Sequence, residues 1–343
     1  MTVKNILLIG MGNMGKKYLK IISSNFPAIK ISLCRSRENF NQIDKTFSNY
    51  RVFDNIADAI KSQPDFAILC NPSSFREKIM KNLIQNNIDI LLEKPVSNSI
   101  KNIKKFLGMS QSKKLKILVG YNLRYLNSLK FFRRLIQKKS IGSWIKVHSE
   151  VGENIKNWRG SKNFKFSASF QKKLGGGVLL ELSHEIDYLN WIFGPLKWVQ
   201  AKTIKNNFHN SNVEHSANLI FGTKIKSNQN LVSLNMDFVR HDKTRSCYVI
   251  GTKGSLFWDC NKNIVKKFDV KKKRWITIFK EKYDMSSSYV DQIRHMINLK
   301  QSTKKILPYV SFQKGVEVLS IVEASKLSNK KNKTVFIQKV SQE

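Results

Sequence analysis

KNILLIGMGNMGKK, residues 4–17, is the stretch from which the fold can be read. Ile6, Leu7, Leu8 and Ile9 form a short apolar run, the pattern of a strand buried on both faces. Gly10, Met11, Gly12, Asn13, Met14 and Gly15 follow as G-x-G-x-x-G, and Met14, Tyr18, Ile21 and Ile22 then recur at helical spacing. Glycines set between a strand and a helix fit a dinucleotide-binding turn better than an ordinary glycine-rich βα connection. Gly10 permits the tight turn, Gly12 lets a diphosphate approach the backbone, and Gly15 allows helix to pack closely on strand. The helix start at Asn13 and Met14 offers N–H donors and a partial positive charge to that diphosphate.

Outward from this stretch, apolar runs at 6–9, 29–34, 66–70, 88–92 and 115–119 alternate with helical patterns near 14–25, 55–62, 75–86 and 99–110. Alternation of this kind predicts an α/β domain with a doubly wound parallel sheet of Rossmann type, over residues 1–122. Beyond it, after a helical stretch near 124–138, period-two patterns take over. Ala217, Leu219 and Phe221 alternate with polar neighbours, as do Val232, Leu234, Met236 and Phe238. Residues 123–343 are therefore expected to form an α+β domain with an open, mostly antiparallel sheet, closed by helices near 284–299 and 309–327. No internal repeat or low-complexity linker interrupts it.

Bulk properties narrow the function classes. A length of 343 residues favours two domains, and 41% hydrophobic residues suffice for real cores. No apolar run approaches the roughly 20 residues of a membrane helix, and the four-residue N-terminal run breaks at glycine, unlike a signal peptide. Cys34, Cys70, Cys247 and Cys260 lack C-x-x-C spacing, as expected of reduced thiols in a cytoplasmic protein. The formal charge of +37 raises nucleic-acid binding as a class. Its lysines are scattered through the whole chain, and Lys271–Arg274 lies between two strand patterns as a hairpin turn, so a compositional bias explains them more simply. A basic surface still suits an anionic, phosphate-bearing substrate.

Two further stretches carry candidate chemistry. Leu91-Leu92-Glu93-Lys94-Pro95 ends the fifth parallel run, and ligands of doubly wound sheets lie beyond the carboxyl ends of strands. Lys94 would face such a cleft, with Pro95 pinning the backbone. In Gly175–Gly194, GGGVLLELSHEIDYLNWIFG, three glycines would let the backbone pass close to a ligand, and Ser183 is a candidate helix N-cap. His184 and Asp187 then share a helix face, where the carboxylate could orient the imidazole. A plain His–Asp surface pair has the same spacing. The residues lack metal-site spacing, and no metal is needed. After the second strand, Arg35-Ser36-Arg37 stands where an NAD enzyme usually places an acid, so a 2′-phosphate and NADP are favoured over NAD. Trp158 and Arg159 offer a stacking surface and a cationic fork for a sugar ring or phosphate.

Taken together, the glycine fingerprint, Glu93-Lys94-Pro95, Gly120-Tyr121-Asn122-Leu123-Arg124-Tyr125 and GGG…His184-x-x-Asp187 resemble the glucose–fructose oxidoreductase/inositol dehydrogenase (Gfo/Idh/MocA) family over nearly the full length. The resemblance implies a Rossmann domain followed by a substrate and oligomerisation domain, joined into dimers or tetramers through the open sheet. It implies NAD(P)-dependent hydride transfer on a sugar, cyclitol or sugar nucleotide, with neither nucleic acid nor membrane as partner. Carried over, Lys94 is the catalytic lysine and His184 the acid/base. Glu93, Pro95, Asn71 and Pro72 border the cofactor, although Thr-Pro is commoner than Asn71-Pro72. Asn122, Arg124 and Glu181 fall among the substrate contacts. Arg76 sits where a histidine is common, and Glu181 lies three residues before His184 where an Asp usually lies four before. That departure keeps a catalytically silent NAD(P)-binding regulator as the alternative.

Overall fold

The computed structural model describes residues 3–35, 47–159, 164–205, 212–224, 230–302 and 309–338. The chain divides into two compact units, described separately. The first is built on strands β1 (Asn5–Ile9), β2 (Lys30–Cys34), β3 (Arg51–Phe53), β4 (Phe66–Leu69), β5 (Asp89–Leu92) and β6 (Ile117–Val119). All pair in parallel, in the order β3-β2-β1-β4-β5-β6. Helices α1 (Asn13–Asn25), α2 (Ile56–Lys61), α3 (Arg76–Gln85) and α4 (Ile103–Ser112) make the connections. Every residue of β4 and β5 is buried, which explains the apolar runs Phe66–Leu69 and Ile90–Leu92. The strand order reverses between β1 and β4, so the turn after β1 and the loop after β4 flank the position where doubly wound sheets bind ligands. At three residues, none of them fully buried, β3 is too short to show a period in the sequence.

The second unit begins with α5 (Asn127–Gln137), β7 (Trp144–Gly152), α6 (Ile155–Arg159), α7 (Val178–Glu181) and α8 (Ser183–Phe193). It continues through β8 (Trp198–Ile204), β9 (Ser216–Gly222), β10 (Leu231–Asp237), β11 (Thr244–Gly251), β12 (Gly254–Asp259), β13 (Ile264–Asp269) and β14 (Arg274–Lys280). The late helices are α9 (Met285–Gln301) and α10 (Phe312–Lys331), followed by β15 (Val335–Phe336). Nine strands form one sheet, β14-β13-β12-β11-β7-β10-β9-β8-β15, in which the β7–β10 pair is parallel and the others antiparallel. The KKK turn does join two antiparallel strands, β13 and β14.

Burial alternates along the sheet as its sequence period demands. Ala217, Leu219, Phe221, Val232, Leu234, Met236, Val147, Cys247, Val249, Leu256 and Trp258 line the covered face. There Trp258 meets Tyr188 of α8 edge to face at 5.3 Å, and its indole N–H donates to Ser128 of α5 at 3.0 Å. The opposite face is open: Ile220 and Ile250 are exposed, and Trp275 gathers Tyr248, Phe257 and Phe268 within 5.5–6.4 Å.

The expected 123–343 domain is not gathered as one piece in space. Ser286–Val316 clusters with the first unit. The cause is apolar: Ile293, Met296, Ile297 and Leu299 of α9 enter the same core as Ile6, Leu8, Tyr18, Ile22 and Leu118. Among the described residues, no helix is long and apolar enough to cross a membrane.

Candidate active site

In the first unit the glycine turn has the geometry its spacing predicts. Gly10 sits at φ +90°, and a side chain there would meet Asn71 at under 3 Å. A Cβ on Gly15 would lie 2.0 Å from the Gly10 carbonyl oxygen, so only glycine lets α1 pack so close. Gly12 differs, because a Cβ there meets nothing within 4 Å. It also occupies the N-cap of α1 with no side-chain capping bond, ahead of Asn13 and Met14. An open backbone at an uncapped helix start is a cradle for a dinucleotide diphosphate. Across it, the Asn71 amide oxygen is buried without a hydrogen-bond partner, an acceptor that a bound ligand could satisfy. Pro72 follows at the N-cap of a short 3-10 turn, Ser73–Phe75. The residues present fit the cofactor.

Arg35 leaves the end of β2 with its guanidinium 5.2 Å from the Phe47 ring centre. Ser36 and Arg37 lie outside the described residues. Lys94 follows β5, half-buried between buried Glu93 and Pro95. Glu93 accepts from the Tyr18 hydroxyl at 2.7 Å and from the Lys94 N–H at 3.1 Å, and Gln292 donates to Tyr18 at 2.7 Å. Burial, and then the Glu93 charge, push the Tyr18 hydroxyl well above its ordinary range, which keeps it a donor. Arg76 reaches the same region, donating to the Asn71 carbonyl at 2.8 Å and also to the carbonyls of Glu93 and Pro95. Asn122 is buried, and its amide donates to Ser288 at 2.8 Å.

In the second unit the expected His184–Asp187 pair is replaced by another. Both Asp187 oxygens face Arg124, at 2.8 and 2.6 Å, in a bidentate ion pair whose partners are nearly inaccessible. Burial pushes the Asp187 carboxyl up, and the Arg124 charge works against that shift. Arg124 also lies 5.0 Å from the Trp191 ring centre. Its guanidinium is thus engaged by Asp187 inside the unit. A planar fork matched to a carboxylate outcompetes an imidazole for Asp187. His184 lies at the start of α8, half-buried. Ser183 is already the first helical residue, and Leu182 holds the cap position without a side-chain bond.

Other ties fix α8. The Tyr188 and Ser149 hydroxyls lie 2.5 Å apart, and fully buried Glu185 forms an ion pair with Arg245 at 2.8 Å, without good hydrogen-bond alignment. Sequence reading missed Glu185, Arg245, Tyr188, Arg76's bonds and Gln292. The available signal for Glu185 was an acid one helical turn before the apolar Leu189. The GGG run also changes meaning. A Cβ on Gly176 would lie 2.5 Å from the carbonyl oxygens of Ala168 and Ser169, and one on Gly177 would lie 2.4 Å from Glu214. Gly176 and Gly177 admit neighbouring chain at these close approaches. Glu214 caps the start of α7 by accepting from Leu179 N–H at 3.3 Å. Glu181 ends α7, half-buried, and Trp158 and Arg159 end α6 with their side chains outside the described residues.

Family models match both units: an oxidoreductase family NAD-binding Rossmann fold over residues 4–121, and the C-terminal alpha/beta domain of the same family over 133–337. The chain belongs to the Gfo/Idh/MocA oxidoreductase family. Among similar proteins, it is 26% identical over 202 residues to the oxidoreductase YrbE of Bacillus subtilis, covering 54% of this chain and 53% of that protein. The chain therefore spans about half the length of such a relative, and 35% of a similar oxidoreductase from Synechocystis. The fold is shared with the WlbA dehydrogenase of Bordetella pertussis, solved with NADH and UDP-GlcNAcA (TM-score 0.83, 16% identity, 98% of each chain). It is shared too with myo-inositol 2-dehydrogenase from Lactobacillus plantarum (TM-score 0.79, 17% identity, 98% of this chain and all of that one).

Proposed function

We propose that this Gfo/Idh/MocA chain is an NAD(P)-dependent dehydrogenase or reductase acting on a secondary hydroxyl, or its ketone, in a sugar-like substrate. A sugar nucleotide is the leading substrate class, within carbohydrate biosynthesis. The observation that carries this reading is the carboxyl edge of the parallel sheet. An open glycine cradle after β1 and a half-buried lysine on a braced loop after β5 belong to one sheet. The formal charge of +37 suits an anionic substrate. WlbA's nucleotide-sugar ligand, a property of that protein, supports the same class.

The bound nicotinamide would supply or accept the hydride. Lys94 Nζ donates to the substrate oxygen and stabilises its negative charge as the alkoxide develops. His184 takes the hydroxyl proton on a ring nitrogen in oxidation and returns it in reduction, because an imidazole nitrogen can both accept and donate a proton. Arg124 and Asp187 hold the His184-bearing helix rather than the imidazole itself. Arg35, at the end of β2, supports a preference for the 2′-phosphate of NADP.

The test is a thermal-shift screen of dinucleotides with the purified protein, followed by turnover of sugar nucleotides and cyclitols with the dinucleotide that binds. Oxidation or reduction of any of these compounds is the expected result. Dinucleotide binding without turnover of any of them would replace this reading with the silent regulator, and absence of dinucleotide binding would end both.

A further inference from the structure

We propose that Arg76 is a positioning residue for Lys94, acting through the backbone on both sides of it. The reasoning starts from the sheet. β4 and β5 pair in parallel up to Leu69 and Leu92, and the Glu93 N–H still reaches the Leu69 carbonyl at 3.0 Å. Past that point the chains separate into Asn71-Pro72 and Glu93-Lys94-Pro95, and their carbonyls lose ladder partners. Arg76, the first residue of α3 and only 5% exposed, returns to this gap. Its Nε donates to the Asn71 carbonyl at 2.8 Å, while Nη1 donates to the carbonyls of Glu93 and Pro95.

A guanidinium suits this position for a geometric reason. It carries five N–H donors in a rigid planar fork, so one side chain can bridge three carbonyls. A histidine, common at this position in the family that the sequence resembles, has two ring nitrogens and cannot span all three. Lys94 is consequently flanked by two residues whose carbonyls are tied to one buried cation. On the other side, Glu93 is held by Tyr18, with Gln292 behind it. The Asn71 bond links the same cation to the loop beside the glycine turn, so the cofactor loop and the lysine loop are fastened together. A lysine acting on a developing alkoxide needs this, because misplacement by about 1 Å can cost on the order of 10²-fold in rate.

The inference rests on the reading of Lys94 as catalytic, and the experiment separates the two. Arg76→Ala, Arg76→His and Lys94→Ala are compared by kcat, KM, dinucleotide dissociation constant and peptide-resolved amide exchange. Arg76→Ala should lower kcat by roughly 10- to 100-fold, with KM and dinucleotide affinity within about threefold. Exchange should quicken at residues 93–97 and 70–75 while the rest of the unit keeps its protection. Arg76→His should fall between the two in both readouts, and added guanidinium ion should partly restore the Arg76→Ala rate. Normal kcat in Arg76→Ala beside an impaired Lys94→Ala overturns the positioning role alone. Normal kcat in Lys94→Ala overturns the catalytic reading instead. If the wild type turns over nothing, exchange decides: unchanged protection at 93–97 in both Arg76 variants overturns the brace. Loss of protection throughout the unit, with kcat falling only as the folded fraction falls, overturns it too.

Discussion

On the proposed reading Lys94 serves chemistry and not binding, because the glycine cradle would hold the diphosphate without it. Lys94→Ala should lose on the order of 10²–10³ in kcat, as for one preorganised donor, while dinucleotide affinity changes little. His184→Ala should lower kcat and flatten the neutral limb of the pH–rate profile. Steady-state kinetics across pH 5–9 checks both, and near-normal kcat in Lys94→Ala would refute the assignment. Arg35 carries a second expectation. Titration should show tighter binding of NADPH than NADH, with Arg35→Ala removing most of the difference; equal affinities in the wild type would refute it. The place of Lys94 just past β5 was legible because Glu93-Lys94-Pro95 ends an apolar run. Arg124's commitment to Asp187 was not, because its partner lies 63 positions away and only folding brings them together.

At the scale of elements, the glycines of the first turn divide by what surrounds them. Gly12→Ala should fold with a melting temperature near the wild type and bind dinucleotide much more weakly, since the added methyl points into open space. Gly15→Ala should be strongly destabilised, because its methyl would collide with the Gly10 carbonyl. A calorimetric scan and a dinucleotide titration of each variant distinguish them. Similar loss of stability in both would contradict the cradle. The Arg124–Asp187 pair permits a double-mutant cycle. Removing either partner leaves a buried charge uncompensated, at a cost of about 3–5 kcal/mol, whereas an apolar replacement of both should cost far less. Denaturant titration of Arg124→Met, Asp187→Leu and the double variant measures this. Additive losses would show that the pair is not coupled.

At the scale of the whole molecule, the open face of the nine-stranded sheet carries the expectation of self-association. Its exposed Ile220 and Ile250 and the Trp275 cluster form an apolar area of the kind that marks an interface. Light scattering at micromolar concentration should give a multiple of 39.7 kDa. Ile220→Asp with Tyr248→Asp should shift it toward the monomer without unfolding the chain. A monomeric wild type would refute the interface.

What the sequence by itself determined was whatever repeats at short range. Period-two burial, βα alternation and the spacing of Gly10, Gly12 and Gly15 follow from backbone geometry within a few residues, and they sufficed for the parallel sheet, the antiparallel sheet and the cofactor turn. Only the tertiary structure decided which polar groups meet. Burial forces each charge to find a partner, and the partner comes from wherever the fold brings one: Asp187 from Arg124, Glu185 from Arg245, Glu93 from Tyr18. It also decided that α9 belongs to the first unit's core, since an amphipathic helix records that it needs an apolar neighbour but not which one. The GGG run shows the same limit from the other side. Its letters require a close approach, and only the packed structure reveals that the approaching atoms are the chain's own.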